Sequence, residues 1–453
     1  MPQTGFAEFF TGGPFPASYV IMVIIGLVFV YLGIAKKWEP LLLVPIGFSL
    51  LLVNLFPGLM AVEQTRTIEA PFDGQVTAIE VSAGDAVVEG DHLFDLTLDA
   101  GGVKAIQSPV DGIVGELKVT EGQHVSQGEA LTELELSGTL LTGAEPTGLF
   151  ARIFHYGIQW EIIPILIFLG LGAMTDFGPL IANPKTLLLG AAAQFGVYFV
   201  FFMALFIGFS IPEACSIGII GGADGPTTVY LTAALAPGLL AATAPAAYSY
   251  MAMVPIIQPP VIKLLTTKEE RKIYMKPQLR EVSKLERILF PFIVSIVIIL
   301  LVPEAAPLIG AFMVGNLLLV SGVTGRLAET AGGPFMNVLT ILLGLAIGGI
   351  MTADNFLRIS SLEIFGLGLV AFATATAFGV LVAKLMNKFS KEPINPMIGA
   401  AGVSAVPMSA RVVQRMGQKE NPRNFLLMHA MGPNLAGVIG TITAAGIFLS
   451  LVG

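Results

Sequence analysis

Charged side chains are scarce in this chain. Only 12% of its 453 residues are Asp, Glu, Lys or Arg, whereas 54% are hydrophobic, and the mean hydropathy is +0.80. A soluble domain carries about 25% charged residues. The shortage therefore excludes an ordinary soluble protein and points to a polytopic membrane protein. Cysteine is nearly absent. Cys215 stands alone, which excludes an internal disulfide framework, and no Cys/His zinc spacing occurs. The four histidines, His92, His124, His155 and His429, are scattered as surface or core residues are, not clustered as ligands. No G-x-x-x-x-G-K-S/T stretch argues for ATP use. No nucleophile–base pair is evident, and nucleic acid is not expected among the partners. The N-terminus lacks a basic n-region, so no cleavable signal peptide is expected.

The charge that is present is unevenly placed. Residues 63–145 hold 16 acidic and 3 basic side chains, a net of −13, while the remainder holds 16 acidic and 21 basic, a net of +5. An acidic soluble insert thus interrupts a mildly basic membrane protein. Two apolar segments, 17–35 and 41–62, precede it, each long enough to span. Lys36 and Lys37 between them place that loop in the cytoplasm by the positive-inside rule, and the insert on the external face.

The insert is an internal duplication. The stretch 68–96 matches 106–134 at an offset of 38 residues, with Pro71, Asp73, Gly74, Gly84, Val87, Gly90 and Leu93 aligned to Pro109, Asp111, Gly112, Gly122, Val125, Gly128 and Leu131. Each half alternates apolar and polar residues between Gly and Asp punctuation, so it reads as strands and tight turns. Two such halves are expected to interlock into a small barrel, which resembles the biotinyl/lipoyl carrier domains. In that family the modified lysine sits at the hairpin between the halves. Here that place is Gly101, and Lys104 is out of register. A barrel used for structure or docking is therefore favoured over a carrier.

Spans are expected again at 160–175, 187–209, through 236, and at 244–262. The loop 263–287 carries Lys263, Lys268, Arg271, Lys272, Lys276, Arg280, Lys284 and Arg287 and marks the cytoplasm. Further spans follow at 288–302, 306–323, 336–351, 364–385 and 425–452.

Within the first membrane part, 217–226 reads IGIIGGADGP. An acid at membrane depth costs on the order of 3 kcal/mol or more, so Asp224 is a functional-site candidate. The glycines and Pro226 imply an unwound helix whose freed carbonyls suit a cation. The alternative is an extramembrane turn with a solvated Asp. The second broken element, 395–411, reads NPMIGAAGVSAVPMSAR. Its Asn395 and Ser404 offer neutral oxygens, and Gly399 allows close backbone approach. With Asp224 they form a hard, singly charged oxygen set suited to a small monovalent cation. Arg411 suits a carboxylate, or forms a solvated basic face with Arg415, Lys419 and Arg423. Asn434 is a third polar insertion, beside Gly432 and Pro433. Tyr250 is a candidate proton donor or acceptor, or, like Tyr248, an interfacial aromatic.

The stretch 165–177 (ILIFLGLGAMTDF) is echoed by 341–356 (ILLGLAIGGIMTADNF), each followed by a span and a broken element. Counting crossings from the basic loops makes the copies run in opposite directions, the architecture of secondary transporters. Chance likeness among Gly/Ala/Ile-rich segments is the alternative. The expected fold is an all-α polytopic membrane protein with two inverted repeats, broken or re-entrant at the midplane, plus an inserted β barrel-sandwich. The expected layout is two helices (1–62), the extracytoplasmic insert (63–145), a first repeat (150–265, broken at 211–236), the basic cytoplasmic loop (266–287), linking helices (288–330) and a second repeat (333–453, broken at 395–411).

The motifs GIAKKWEPLLLVPIGF, GAMTDFGPLIANPKTLLLGAAAQFG, GIIGGADGPT, YSYMAMVPIIQPP, NPMIGAAGVSAVPMSARV and GPNLAGVIG occur in this order. In them the chain resembles the beta subunit of sodium-pumping, biotin-dependent decarboxylases acting on oxaloacetate, methylmalonyl-CoA or glutaconyl-CoA. The resemblance covers nearly the whole chain outside 61–148. It implies decarboxylation of carboxybiotin presented by a separate biotin carrier protein, with proton consumption and sodium export across the inner membrane. It implies an alpha carboxyltransferase subunit, a small gamma or delta membrane subunit and a homo-oligomeric arrangement. By the same likeness Asp224 is the main sodium ligand, Asn395, Ser404 and Asn434 belong to the functional region, Arg411 engages carboxybiotin, and Tyr250 and Ser404 handle sodium and protons. A secondary sodium/proton or sodium/carboxylate transporter would share the broken helices and the acid. An assembly or docking role for the insert is a third reading. No biotin is expected on this chain: a streptavidin blot of the purified protein should be blank, and a signal mapping to Lys104 would overturn the reading of the insert.

Overall fold

The computed structural model describes residues 17–62, 65–88, 90–98, 101–110, 112–135, 146–276, 280–390 and 393–452. They form two compact units, Met60–Arg152 and the chain up to Leu59 together with that from Ile153 onward.

The smaller unit shows the duplication strand by strand. Its first half contains β1 (Thr65–Glu69), β2 (Gly74–Ile79), β3 (Ala86–Val87) and β4 (His92–Leu98). Its second half contains β5 (Val103–Gln107), β6 (Gly112–Leu117), β7 (His124–Val125) and β8 (Ala130–Glu135), each starting 38 residues after its counterpart. The halves exchange strands. One antiparallel sheet runs β1-β8-β6-β3 and the other β5-β4-β2-β7, so each sheet maps onto the other by the repeat. Alternate residues face one core, among them Val76, Leu93, Leu96, Val114, Leu131 and Leu134. Gly84 and Gly122 hold equivalent turns with φ of +96° and +84°, a region that favours glycine. The expected closed barrel is not formed: among the described residues there are two separate sheets. The end strands β3 and β7 are two residues long, too short to pair along a second sheet. Lys104 lies inside β5, opposite Leu96, with its ammonium 5.2 Å from the Phe72 ring centroid, not at a hairpin tip.

The larger unit is helical. It begins with α1 (Ala17–Lys36) and α2 (Pro40–Leu55), and continues with α3 (Leu149–Phe154), α4 (Ile162–Met174), α5 (Gly178–Ala182), α6 (Leu187–Ala193) and α7 (Phe195–Ile207). Then come α8 (Ile211–Gly218), α9 (Gly225–Leu235), α10 (Leu240–Leu265), α11 (Lys268–Lys272), α12 (Lys284–Leu301) and α13 (Ala306–Val320). The last are α14 (Gly325–Thr330), α15 (Met336–Ile350), α16 (Ala353–Phe356), α17 (Ile359–Asn387), α18 (Met408–Glu420) and α19 (Leu427–Val452). Seven helices among the described residues are long and apolar enough to cross a membrane, and the pair Leu149–Gln159 and Ile162–Met174, bent by 63°, would make an eighth. The protein is thus a polytopic, integral membrane protein. The span expected at 41–62 is shorter than that: α2 ends at Leu55, where Pro57 disfavours helical backbone in the residue before it.

Small residues set the helix contacts, as expected where lipid offers no hydrophobic drive. A Cβ on Gly172 (α4) would lie 1.9 Å from the Phe312 carbonyl oxygen of α13, and one on Gly315 (α13) 2.0 Å from that of Leu169. A buried asparagine then closes each joint. Asn316 of α13 donates to the Thr175 carbonyl (2.6 Å) just past α4, and Asn54 of α2 donates to that of Met351 (2.9 Å) just past α15. In both, Oδ1 is buried without a partner among the described residues. The two Met-Thr breaks echoed in the sequence are therefore finished in the same way.

Gly315→Ala should destabilise the α4–α13 joint by about 1–3 kcal/mol through overpacking. Gly310→Ala on the same helix, where a Cβ meets nothing within 4 Å, should leave the melting temperature in detergent unchanged. Equal melting of the two variants would contradict the contact.

Candidate functional site

The first broken element starts cleanly. Ser210 and Glu213 form a capping box for α8. The helix tightens into a 3-10 turn over Ile219–Gly222 and stops at Ala223, whose φ of 55° is left-handed. Chain direction changes there, and Asp224 becomes the N-cap of α9. Its Oδ1 accepts from the Thr227 backbone N–H at 3.3 Å, and Thr228 Oγ1 donates to its carbonyl at 2.8 Å. Asp224 is 5% exposed. An N-cap position is one where the helix dipole favours a carboxylate, and buried Thr227 and Thr228 bond the residue there.

The second broken element is a 3-10 helix over Pro396–Gly402 followed by an extended turn into α18. The two breaks meet directly: the Ser404 N–H donates to the Gly222 carbonyl at 2.8 Å. Ala223 shares a buried cluster with Val403 and Ala405. Ser404 Oγ lies 2.7 Å from Thr441 Oγ1 of α19, and Thr441 contacts Gln194 Oε1 at 3.3 Å and the Gly437 carbonyl at 3.1 Å. Asn434 of α19 donates to the carbonyls of Ala401 (3.1 Å) and Val403 (2.7 Å) and to Ser409 Oγ (3.2 Å). All its donors point at the second break, while Asn434 Oδ1 is buried without a partner among the described residues. Glycines permit this closeness. A Cβ on Gly222 would meet Thr441 Cγ2 at 2.5 Å, and one on Gly437 the Gly402 carbonyl oxygen at 2.2 Å.

The structure thus joins Ser404 and Asn434 through the second break and sets Ser404 on the Gly222 carbonyl, two residues before Asp224, whose carboxylate accepts from the Thr227 N–H. The other expected site residues are placed differently. Asn395 donates to the carbonyls of Arg271 (2.9 Å) and Ile273 (3.0 Å), and its Oδ1 accepts from the Met397 N–H (3.1 Å), so it ties the second break to the basic loop. Gly399 packs backbone to backbone on α17, since a Cβ there would lie 2.0 Å from the Gly379 carbonyl oxygen. Tyr250 donates its hydroxyl to the Phe365 carbonyl and shares a cluster with Ile217, Ile219 and Ile220. Arg411 is exposed on α18, where its neighbours Ala410 and Val412 are buried.

The loop tied by Asn395 is held at further points. Asn424 donates to the Ile273 carbonyl (2.7 Å), and the Met275 N–H donates to Asn424 Oδ1 (3.3 Å). Arg271, 6% exposed, donates to the Thr266 carbonyl (2.6 Å) and to Glu420 (3.0 Å). Hydrogen bonding from Arg271 holds the Glu420 carboxyl below the ordinary range.

Sequence reasoning missed several groups. Tyr248 presses on Gly225 of the first break: a Cβ there would sit 2.0 Å from Tyr248 Cε1, and Tyr248 Oη has no partner among the described residues. Gln258 of α10 donates to the Ala400 carbonyl at 2.8 Å and leaves Oε1 without a partner there. Thr441 and Gln194 join the Ser404 contacts. Their signal, polar residues inside apolar spans, is present but shared with many residues that only bond their own helix. No group of three or more His, Cys, Asp or Glu able to hold a metal occurs among the described residues. The donors are one carboxylate and neutral oxygens.

Comparison with known proteins gives one consistent answer. The family model described as the Na+-transporting oxaloacetate decarboxylase beta subunit matches residues 18–452. The methylmalonyl-CoA decarboxylase subunit beta of Propionigenium modestum is 50% identical over 436 residues, 96% of this chain and 95% of the relative. The oxaloacetate decarboxylase beta chain of Klebsiella pneumoniae is 46% identical over 442 residues, 96% of this chain and 95% of the relative. The glutaconyl-CoA decarboxylase subunit beta of Acidaminococcus fermentans is 57% identical over 312 residues, 69% of this chain and 83% of the relative.

Thr441→Val should remove the hydroxyl shared by Ser404 and Gln194 and leave both buried groups short of a partner. The expected loss is about 1–3 kcal/mol of stability, read as a lowered melting temperature in detergent; an unshifted melt would show that the network carries no weight.

Proposed function

Because the chain belongs to the family of Na+-transporting oxaloacetate decarboxylase beta subunits, we propose that it decarboxylates carboxybiotin and couples that step to outward movement of sodium. The observation that carries this reading is the Ser404 N–H to Gly222 carbonyl bond, which sets the buried Asp224 at the junction of two helix breaks. Sodium is the cargo of this junction. Asp224 supplies its charge, and Ser404 and the unpartnered Asn434 Oδ1 supply neutral oxygens. Freed carbonyls of the breaks complete such a shell. One buried carboxylate together with neutral oxygens suits a small monovalent cation.

The exposed Arg411 is assigned to the carboxylate of carboxybiotin by its planar fork. Carboxybiotin loses carbon dioxide as its ring nitrogen takes a proton. A site that either sodium or a proton occupies links the two events, because two ligands competing for one anion obey reciprocal coupling. Tyr250 is assigned to proton handling, with its Phe365 bond as the contact that must open. Asn395 acts at a distance in this scheme, by fixing the basic loop to the second break, and Gly399 acts by letting that break lie against α17.

The two halves are read as inverted repeats, 150–265 and 333–453. Supporting this are the paired Met-Thr breaks, each closed by one buried asparagine, Asn316 or Asn54. The basic loop then faces the cytoplasm of a cell whose inner membrane holds the protein, and the residues 63–145 lie outside. The working assembly contains an alpha carboxyltransferase subunit, a biotin carrier protein and a small gamma or delta subunit, with more than one copy of this chain. Biotin resides on the carrier, and the strand-exchanged unit at 60–152 serves structure or docking.

Asp224→Asn should abolish sodium-stimulated carbon dioxide release from carboxybiotin while the purified complex still assembles. Wild-type stimulation in that variant would discard the site. Sodium uptake into vesicles without any carboxybiotin would instead favour a secondary transporter.

A further inference from the structure

A third break precedes the two already described. The helical pair bent by 63° turns at Trp160 and Glu161, just before α4. The φ of Glu161 is 60°, a left-handed state that a β-carbon disfavours and that persists only in firm surroundings. Like Asp224, Glu161 is an N-cap, but its carboxylate makes no bond to its own helix. It hydrogen-bonds the Tyr230 hydroxyl of α9 instead. Tyr230 is buried, and α9 packs on both α4 and the turn His155–Gln159. Glu161 is half-buried, and no cation pairs with it among the described residues.

The helix that holds Tyr230 is the one that Asp224 caps. Asp224, Thr227 and Tyr230 are three residues apart, so they line one side of it. Thr227 Oγ1 is buried and has no hydrogen-bond partner among the described residues outside the Asp224 carboxylate. A carboxylate, a hydroxyl, a phenol and a second carboxylate thus follow one another from the first broken element to the bend. Beside them the wall is apolar: Tyr230 shares a buried cluster with Phe168 and Ile439.

Two chain paths put the bend at the face opposite the basic loop. One is α4, which runs for about 20 Å from Glu161 towards the turn where Asp176 lies 3.5 Å from Arg287, the last residue of the basic stretch. The other is α10, which leads from the turn that closes α9 to Leu265, where that stretch begins. Tyr156 and Trp160 are exposed and meet edge to face at 5.1 Å, the residue types of a membrane–water interface. An ionisable residue kept at a membrane rim, with its partner on a helix that leads to an ion site, is a functional candidate.

We propose that Glu161 is a second station for a small monovalent cation, at the external mouth of a file of oxygens that runs from Asp224 past Thr227 and Tyr230. The direction of travel rests on the function proposed above. An ion held by one buried carboxylate leaves slowly, and a second anionic group further along makes its release stepwise.

The test uses the purified complex. In detergent, a water-soluble carbodiimide with glycine ethyl ester should amidate Glu161 more slowly in sodium chloride than in choline chloride, read by peptide mass spectrometry. In proteoliposomes whose lumen stands for the external face, lumenal sodium should inhibit pumping. Glu161→Gln should raise the half-inhibitory lumenal concentration about tenfold, the effect of removing one anionic ligand. Tyr230→Phe should shift it in the same direction, and Glu161→Asp should bring it back towards wild type. The half-saturating sodium concentration on the carboxybiotin side should stay within about twofold of wild type, which a general loss of structure would not permit. Labelling of the wild type keeps the test open where Glu161→Gln fails to assemble. A wild-type complex that pumps sodium while Glu161 is labelled alike in both salts would overturn the station alone. A wild-type complex without sodium-stimulated carbon dioxide release would overturn the parent reading, and the exit route with it.

Discussion

A helix that unwinds inside a membrane exposes amides and carbonyls to a medium that cannot solvate them. This protein unwinds two and lets them satisfy one another through the Ser404 N–H and the Gly222 carbonyl. Much else follows from that bond. It requires glycines where the breaks approach other backbone, as at Gly222, Gly402 and Gly437. It requires α19 to present polar groups at membrane depth, which Asn434 and Thr441 do. It also leaves Asp224 at a helix start, where the backbone dipole favours its charge. A carboxylate elsewhere in the same core would be a liability. Here it is a carboxylate beside the meeting of two helix breaks.

The outer helices obey the same economy of small residues and single amides. Gly172 against α13 and Gly344 and Gly348 against α2 allow backbones to approach closely. Asn316 and Asn54 then tie the carbonyls released where α4 and α15 end. The breaks need firm surroundings, because an unwound segment has few hydrogen bonds of its own. The smaller unit, expected as an insert but covered by the family match over residues 18–452, follows different physics. Its two halves exchange strands so that neither sheet belongs to one repeat, and its core is built from alternating residues, as in a soluble β domain.

The two helix breaks and the basic loop are joined by a short path. Asn395 opens the second broken element and donates twice to the loop carbonyls of Arg271 and Ile273, and His429 bonds the Lys276 carbonyl from α19. The loop is thus held by side chains from both elements. Such a strap connects the loop to the second break without a long chain of intermediaries.

Local pattern alone determined the membrane class, the 38-residue duplication and the two breaks, because apolar runs, a repeat and Gly/Pro clusters around a lone acid are visible along the chain. The choice of Asp224 and Ser404 followed from the same signal. Pattern does not say which partner a polar side chain finds. Asn395 looks like a ligand in its own segment, yet its hydrogen bonds go to a loop more than a hundred residues earlier. Tyr248 and Tyr250 are alike in sequence, and only packing turns one onto Gly225 and the other onto the Phe365 carbonyl. Two interlocking halves predict a small barrel, whereas the structure forms two sheets whose end strands β3 and β7 are two residues long. Hydrogen bonds are short and directional, so residues distant in the chain gain their roles only when the tertiary fold fixes who stands within 3 Å of whom.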